Sequence, residues 1–192
     1  TEPKLSKKTG EPRYAPCEKA CPADAIDRTM MVDPDGSIEE INVGSIVVAT
    51  GFKVMEKDWF KEMAPESPSV ITALQLERLI SATGPTGGKL QVPETTRKPK
   101  VINFVSCMGS RDENFHTYCS RVCCMYMIKQ ARLIKEKYPD TEIYMHFIDV
   151  RTPGKGYDEY YTGARKMGIN ILRGKVGGIE ALPHQRLRVL AY

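Results

Sequence analysis

The chain has 192 residues, of which 41% are hydrophobic and 27% charged, the composition of an ordinary globular protein. Its net charge of +4 is small and its basic residues are scattered, which argues against nucleic-acid binding. No stretch approaches the roughly 20 apolar residues of a membrane span, and six cysteines are too few for a disulfide-rich secreted scaffold. A reducing cytoplasm is therefore the expected compartment.

The N-terminal part is predicted to be an irregular arm that carries one pair of cysteines. Residues 1–28 contain the run PCEKACPADAID, in which Cys17 and Cys21 show the C-x3-C-P ending of a ferredoxin-type cluster-binding motif. Tyr14 and Glu11 stand where a full motif has its other cysteines. A partial second metal site and a vestigial, unliganded pair both remain open.

The next segment predicts two strands followed by a helix. Residues 38–51 indicate a polar alternating strand and then a buried strand over residues 45–49 that ends in a tight turn. The small residues Ala49, Thr50 and Gly51 would let a cofactor approach the backbone closely, although this signal is weak by itself. Residues 69–82 predict an amphipathic helix with Thr72 as its N-cap.

From residue 100 the pattern becomes regular. Strands are predicted over residues 101–106, 142–150 and 169–172, and helices over residues 119–138 and 159–167. A hairpin of residues 176–180 and 186–191 follows them. Such alternation is typical of an α/β fold in which an open, mostly parallel sheet is flanked by helices. The sequence therefore predicts a Rossmann-like, three-layer arrangement for this part of the chain.

Four of the six cysteines lie in the run CMGSRDENFHTYCSRVCC, with the spacing C-x11-C-x3-C-C. Cys107 follows the first strand of the α/β unit, and the other three cysteines open its first helix. Open α/β sheets bind ligands at such strand ends. The helix N-terminus would lower the pKa of nearby thiols. Two of them, four residues apart, would share a helix face. The four are Cys107, Cys119, Cys123 and Cys124.

The identity of the bound group stays open at this point. Adjacent side chains on a helix diverge by roughly 100°, which suits a cubane with several iron corners better than a single ion. A non-catalytic domain with a structural four-cysteine zinc site is the alternative, and unliganded, buried cysteines are a third. Arg111 and Arg121 could offset the negative charge of a cluster. A further set follows a strand end and would line a partner or nucleotide surface or pack as an aromatic rim: Arg151, Lys155, Tyr157, Tyr160 and Tyr161.

Five segments together resemble one family. The runs GSIVVATGF, SVITALQLERLISATGPTGGK, FVSCMGSRD, YCSRVCCMYMIKQA and FIDVRTPGKGYDEYY resemble, in the same order, the A-type subunit of heterodisulfide reductase and the related subunits of quinone-interacting membrane-bound oxidoreductase. The resemblance covers roughly residues 15–180. It implies a thioredoxin-reductase-like flavoprotein, an oxidoreductase that relays electrons between FAD and a [4Fe–4S] cluster to partner subunits.

The resemblance also implies roles for particular residues. The cysteines Cys107, Cys119, Cys123 and Cys124 match the family's four cluster ligands. Ala49, Thr50 and Gly51 match a turn that contacts FAD, and Lys129 matches a lysine near the flavin ring, where it would be catalytic; a solvated helix lysine is the alternative. The implied partners are the other subunits of a heterodisulfide reductase-like complex and electron carriers such as ferredoxin or a hydrogenase or dehydrogenase subunit.

The chain also departs from the family pattern. It lacks the G-x-G-x-x-G flavin fingerprint, so we expect a piece of a longer polypeptide that binds FAD poorly and is inactive alone. Three domains are expected. Residues 1–37 resemble the remnant of a ferredoxin-type insert with a linker, residues 38–99 part of the FAD-binding domain with a connection, and residues 100–192 the Rossmann-like domain that carries the four cysteines.

Overall fold

The structure, a computed structural model, describes Pro22 and residues 42–192. The chain divides into two units, Thr1–Gly51 and Phe52–Tyr192. The elements of the second unit are, in chain order, α1 (Ala73–Ile80), β1 (Val101–Val105), α2 (Cys123–Lys137), β2 (Glu142–Phe147), α3 (Tyr157–Lys166), β3 (Asn170–Arg173), β4 (Val176–Leu182) and β5 (Arg186–Ala191). Within the part of the chain that the structure describes, no helix has the length and apolar character that crossing a bilayer demands.

The central sheet is parallel and has the strand order β1-β2-β3. Val101 pairs with Glu142 at one end of the sheet, and Tyr144 pairs with Asn170 on the other side of the middle strand. Helix α2 connects β1 to β2 and α3 connects β2 to β3, so the predicted α/β architecture is confirmed. The predicted hairpin is also confirmed, because β4 and β5 form a separate antiparallel pair.

Most of the core lies between the sheet and its helices. Alternate residues of a strand point to the same face, and Ile143, Met145 and Phe147 of β2 are fully buried on the face that carries the main hydrophobic cluster. Residues of α2 that recur at helical spacing cover them, with one residue from α3: Met127, Ile128, Ala131, Ile134 and Ala164. A smaller cluster forms around Phe60, Met63 and Val176, against which Val105 of β1 packs.

Helix α1 begins where the sequence predicted. The hydroxyl of Thr72 accepts a hydrogen bond from the Gln75 N–H at 3.2 Å, and the Gln75 side chain accepts one from the Thr72 N–H at 2.8 Å. This reciprocal pair is a capping box, which satisfies two of the N–H groups that a helix start leaves unpaired. The predicted N-cap is therefore confirmed.

Replacing Thr72 by alanine is expected to lower the free energy of unfolding by about 1 kcal/mol, because one backbone N–H at the start of α1 loses its acceptor. Urea unfolding followed by circular dichroism measures this change. The matched control is Thr96→Ala, since Thr96 is exposed in a connection and its change should stay within about 0.5 kcal/mol. Equal effects of the two variants would contradict the capping role of Thr72.

The start of α2 differs from the prediction. The helix begins at Cys123 rather than at Cys119, because Arg121 has a φ of +64°, a left-handed conformation that a right-handed helix cannot contain. The Arg121 N–H donates instead to the sulfur of Cys119 at 3.3 Å. Cys119 therefore precedes the helix, and the prediction that it shares a helix face with Cys123 is wrong.

The buried strand predicted over residues 45–49 is not found. Residues 42–51 contain no strand, and Ile46, Val47 and Val48 are 80%, 87% and 79% exposed. An apolar run becomes a buried strand only when neighbouring strands pair with its backbone, and within residues 42–192 none does so. The polar strand predicted before it begins at residue 38, and residues 38–41 lie outside the described residues.

Candidate metal centre

One loop and the first turn of the helix that follows it supply the four cysteines. Cys107 lies two residues beyond β1, while Cys123 and Cys124 are the first two residues of α2. The connection between them, residues 107–122, is called the cysteine loop below, and Cys119 lies near its end. Cys107 and Cys124 are buried, with 7% and 3% exposure, whereas Cys119 and Cys123 are partly exposed, and all four are free thiols.

The cysteine loop has an unusual backbone. Cys107, Arg111 and Arg121 have φ angles of +60°, +57° and +64°, a region that residues with a Cβ seldom adopt and that is concentrated at functional sites. Gly109 has a φ of +67° and packs closely on Phe60, whose Cζ would lie 3.0 Å from an added Cβ. Strain of this kind persists only where the surroundings impose it, so the loop has a defined shape.

Three of the sulfurs are neighbours. The Cys124 thiol, the Ser120 hydroxyl and the Cys107 N–H lie close enough to the Cys123 sulfur to lower its pKa. The Cys107 thiol lies close enough to Cys124 for its charge to act on that thiol. The Ser106 hydroxyl lies 3.6 Å from the Cys107 sulfur and donates to the His146 carbonyl at 2.6 Å. Cys107, Cys123 and Cys124 thus form one group at the end of β1.

Arg151 connects the fourth cysteine to this group. Its N–H donates to the Cys124 sulfur at 3.4 Å, and its side chain contacts Cys119. Its guanidinium also donates to Asp149 at 3.2 Å, and Arg111 donates to the same carboxylate oxygen at 2.6 Å. The hydrogen bond with Asp149 raises the pKa of Arg151, and the thiol of Cys119 adds to that increase. Two arginines share one carboxylate, so a net positive charge lies beside the thiols.

Sequence reasoning missed part of this arrangement. Arg111 and Arg121 were expected beside the thiols. Arg151 was expected to line a partner or nucleotide surface or to pack as a rim, and Asp149 was not considered. Both follow β2, whose carboxyl end lies next to that of β1 because the two strands are parallel. Since neighbouring parallel strands end at one edge of a sheet, their position directly after β2 was the signal that could have found them.

The adjacent cysteines have opposite acidities. The hydrogen bond from the Cys124 thiol lowers the pKa of Cys123 below its ordinary value, and the Ser120 hydroxyl and the Cys107 N–H lower it further. Donating that bond raises the pKa of Cys124, and burial raises it further. Burial raises the pKa of nearby Tyr126 to about 12, with a further contribution from the two cysteines. The Cys123 thiol therefore loses its proton at a lower pH than the Cys124 thiol does.

This difference predicts selective labelling of the metal-free chain. Iodoacetamide reacts with thiolates, so at neutral pH it should modify Cys123 much faster than Cys124, and the rate at Cys123 should fall only when acid protonates its thiolate. Peptide mass spectrometry measures both rates. A Ser120→Ala variant should slow labelling at Cys123, since one hydrogen bond to the thiolate is removed. Equal rates at the two cysteines would contradict the assignment.

The thiols are not arranged around one point. Among the described residues, no three or more His, Cys, Asp or Glu side chains are grouped closely enough to hold a metal ion as they stand. A cubane presents separate iron corners, so its four ligands do not have to converge on a single atom. The N–H groups of Arg121 and Arg151 donate to the sulfurs of Cys119 and Cys124, and such donors are the kind of contact that supports thiolate ligands.

The remaining predicted site residues lie elsewhere. The ammonium of Lys129, on α2, donates to Glu77 of α1 at 2.6 Å, and this bond is the main cause that lowers the pKa of Glu77. Gln130 donates to the other oxygen of Glu77 at 2.9 Å. In the first unit, residues 49–51 are exposed and Gly51 has a φ of +75°. The possible second site at Cys17 and Cys21 lies outside the described residues.

The fold and the site together define an α/β protein with a thiol centre at the carboxyl edge of its parallel sheet. Among curated proteins, the chain is 58% identical over its whole length to a protein of Archaeoglobus profundus that is named as like the A-type subunit of heterodisulfide reductase. It is 45% identical, over 85% of the chain, to the iron-sulfur subunit "A 2" of the CoB–CoM heterodisulfide reductase of Methanopyrus kandleri. It is 42% identical, over 90% of the chain, to the A-type subunit of the H2:CoB-CoM heterodisulfide,ferredoxin reductase of Methanothermobacter marburgensis.

The predicted resemblance to the A-type subunit of heterodisulfide reductase is therefore confirmed, and relatives of this chain are subunits of an oxidoreductase. The chain spans 30%, 25% and 26% of the length of these three relatives. No family model matches the chain.

Proposed function

We propose that this chain is the electron-transfer portion of a flavin/iron–sulfur oxidoreductase that resembles the A-type subunit of heterodisulfide reductase. The observation that carries the proposal is the group of free thiols at the end of β1 and the start of α2, with Cys119 linked to it through Arg151. The name of the Methanopyrus relative, an iron-sulfur subunit, supports an iron–sulfur group in this family.

The four cysteines would be the ligands of a [4Fe–4S] cluster, which when bound supplies one-electron redox chemistry. Cys107 and Cys124 are buried and keep water from one side of the site. The N–H groups of Arg121 and Arg151 donate to sulfurs and so stabilise thiolates. The positive charge of the pair of arginines that shares Asp149 offsets the negative charge of the thiolates.

The flavin residues belong to the same proposal. In the whole protein, Ala49, Thr50 and Gly51 would contact FAD, and small side chains with an open Gly51 are compatible with a close approach of a cofactor. Lys129 would lie near the flavin ring, where a cation stabilises a reduced flavin anion. Its place on α2, the helix that begins with two of the cysteines, supports a position near the cluster. At present the lysine is half exposed and paired with Glu77.

The partners and the compartment are proposed from the resemblance. The chain would act within a longer polypeptide and with other subunits of a heterodisulfide reductase-like complex, in a reducing cytoplasm that keeps the thiols free. The electron carriers considered are ferredoxin and a hydrogenase or dehydrogenase subunit. The names of two relatives mention ferredoxin and H2, which supports this choice. The three-domain division and a possible second site at Cys17 and Cys21 are part of the same proposal.

Arg151 is expected to raise the reduction potential of the site. Arg151→Ala removes a cation beside Cys119 but keeps the backbone N–H to Cys124, so the more negative, reduced state loses stabilisation and the midpoint potential becomes more negative. A redox titration measures the shift. The matched control is Arg165→Ala, because Arg165 is exposed at the far end of α3. An unchanged or more positive potential in the Arg151 variant would contradict this role.

Reversible one-electron reduction tests the proposed function itself. The chain is purified without oxygen, reduced with dithionite and then reoxidised. We expect a broad absorbance at about 400 nm that bleaches on reduction and returns on reoxidation, with a paramagnetic signal in the reduced state. A colourless chain that binds one zinc and accepts no electron would instead show a structural four-cysteine zinc site.

A further inference from the structure

A solvent-facing cavity lies at the end of the cysteine loop. Its volume is about 630 Å³, and it is lined by Cys119, Arg121, Arg151, Thr152 and Pro153. We call these five residues the Cys119 surface. Of the cysteines assigned to the cluster, two are buried, whereas Cys119 is partly exposed and reaches this cavity. The cavity is therefore a route by which another molecule can approach the thiol centre.

The Cys119 surface is basic. Arg121 and Arg151 both line it and both are exposed. Within residues 42–192, Arg121 has no ion pair, and Asp149, the carboxylate that binds Arg151, is shared with Arg111. The surface therefore presents two arginine side chains toward solvent, and Arg121 has no carboxylate partner within residues 42–192. Such side chains attract acidic partners and speed their association.

Exposed apolar side chains flank this charge. Tyr118 is 61% exposed and Val122 is 49% exposed, and in sequence they adjoin Cys119 and Arg121, respectively. Tyrosine and arginine are enriched in protein interfaces, and weak electron-transfer complexes use small contact areas in which charge sets the encounter. A basic cavity with an apolar border beside a redox ligand has the features of such a contact.

We propose that the Cys119 surface is the docking site of an acidic electron-carrier protein. Carboxylates of the carrier would meet Arg121 and Arg151, and its redox centre would come to rest near Cys119. One electron then passes from the reduced centre to the oxidised centre, and no covalent bond forms or breaks. The direction of this step is set by the two potentials. The electron-transfer step rests on the proposed function. The binding of the carrier depends only on the Cys119 surface.

Binding is therefore measured separately from electron transfer. The probe is a small, acidic plant-type ferredoxin, added to the full chain after iron and sulfide have been quantified, and the dissociation constant is determined by calorimetry at low and at high salt. Arg121→Glu reverses a charge on the surface but keeps the backbone N–H to Cys119. The matched control is Arg165→Glu, a charge reversal at an exposed arginine at the end of α3.

The expected result is that Arg121→Glu weakens ferredoxin binding about tenfold or more at low salt, that Arg165→Glu changes it less than about twofold, and that high salt removes the difference. Equal weakening by the two variants, or no binding by the unmodified chain, would overturn the docking site. Binding of inorganic phosphate in the cavity without ferredoxin binding would also overturn it, in favour of a small-anion site. If a chain without iron still binds ferredoxin with this dependence on Arg121 and on salt, the result supports the docking site and contradicts only the proposed cluster.

Discussion

Substitution of Cys123 by serine is expected to abolish the visible absorbance and the iron content of the anaerobically purified chain. Cys123 is the central member of the thiol group, since the Cys124 thiol, the Ser120 hydroxyl and the Cys107 N–H all act to lower its pKa. Its lowered pKa makes it the more acidic thiol of the adjacent pair, and a thiolate is the form that binds iron. A serine hydroxyl keeps the size of the side chain but is a poor ligand for the cluster.

Met125→Ser is the matched control for this experiment. Met125 lies two residues further along α2 and is also partly exposed, so it reports the general effect of a serine in the first turn. We expect its iron and sulfide content to equal that of the unmodified chain. A Cys123→Ser protein that keeps a full cluster would show that the ligand set has been misassigned, and a control that also loses the cluster would indicate disturbance of the helix.

The second large effect concerns the core beneath the site. Phe147→Ala should lower the free energy of unfolding by about 3–5 kcal/mol, because it removes a ring that is 1% exposed from the end of the central strand. The same strand leads directly to Asp149 and Arg151, so we also expect looser support of the cysteine loop. Urea unfolding of the metal-free chain measures the loss, with the slope m unchanged.

Leu133→Ala provides the comparison for Phe147. Leu133 lies on α2 but is 44% exposed, so its truncation should cost no more than about 1 kcal/mol. A Phe147 variant as stable as the Leu133 variant would contradict the placement of Phe147 in the core. It would also contradict the expectation that β2 supports the cysteine loop.

The α/β part of the fold could be predicted because its signals are local. The alternation of strands and helices, the N-cap at Thr72, and the end of α2 before Pro139 each depend on neighbouring residues. The strand predicted over residues 45–49 was wrong because burial of a strand depends on partners that a local apolar pattern does not reveal. The early start predicted for α2 was wrong because helix propensity gives no sign of the left-handed Arg121.

The candidate site was predictable only in part for the same reason. The four cysteines stand out by spacing, and their position after a strand and at a helix start follows from the α/β pattern. Asp149 binds both Arg111, which lies 38 positions before it in sequence, and Arg151, which lies two positions after it. Only the parallel pairing of β1 with β2 brings them together, and spacing within one segment cannot express such a contact.

The central claim is that the four thiols share one inorganic cluster. Iron and acid-labile sulfide, counted per chain after purification without oxygen, test it most directly. The account predicts about four iron and four sulfide per chain, as a cubane requires. One zinc without sulfide, or a metal-free chain whose four thiols all react freely with an alkylating reagent, would contradict it.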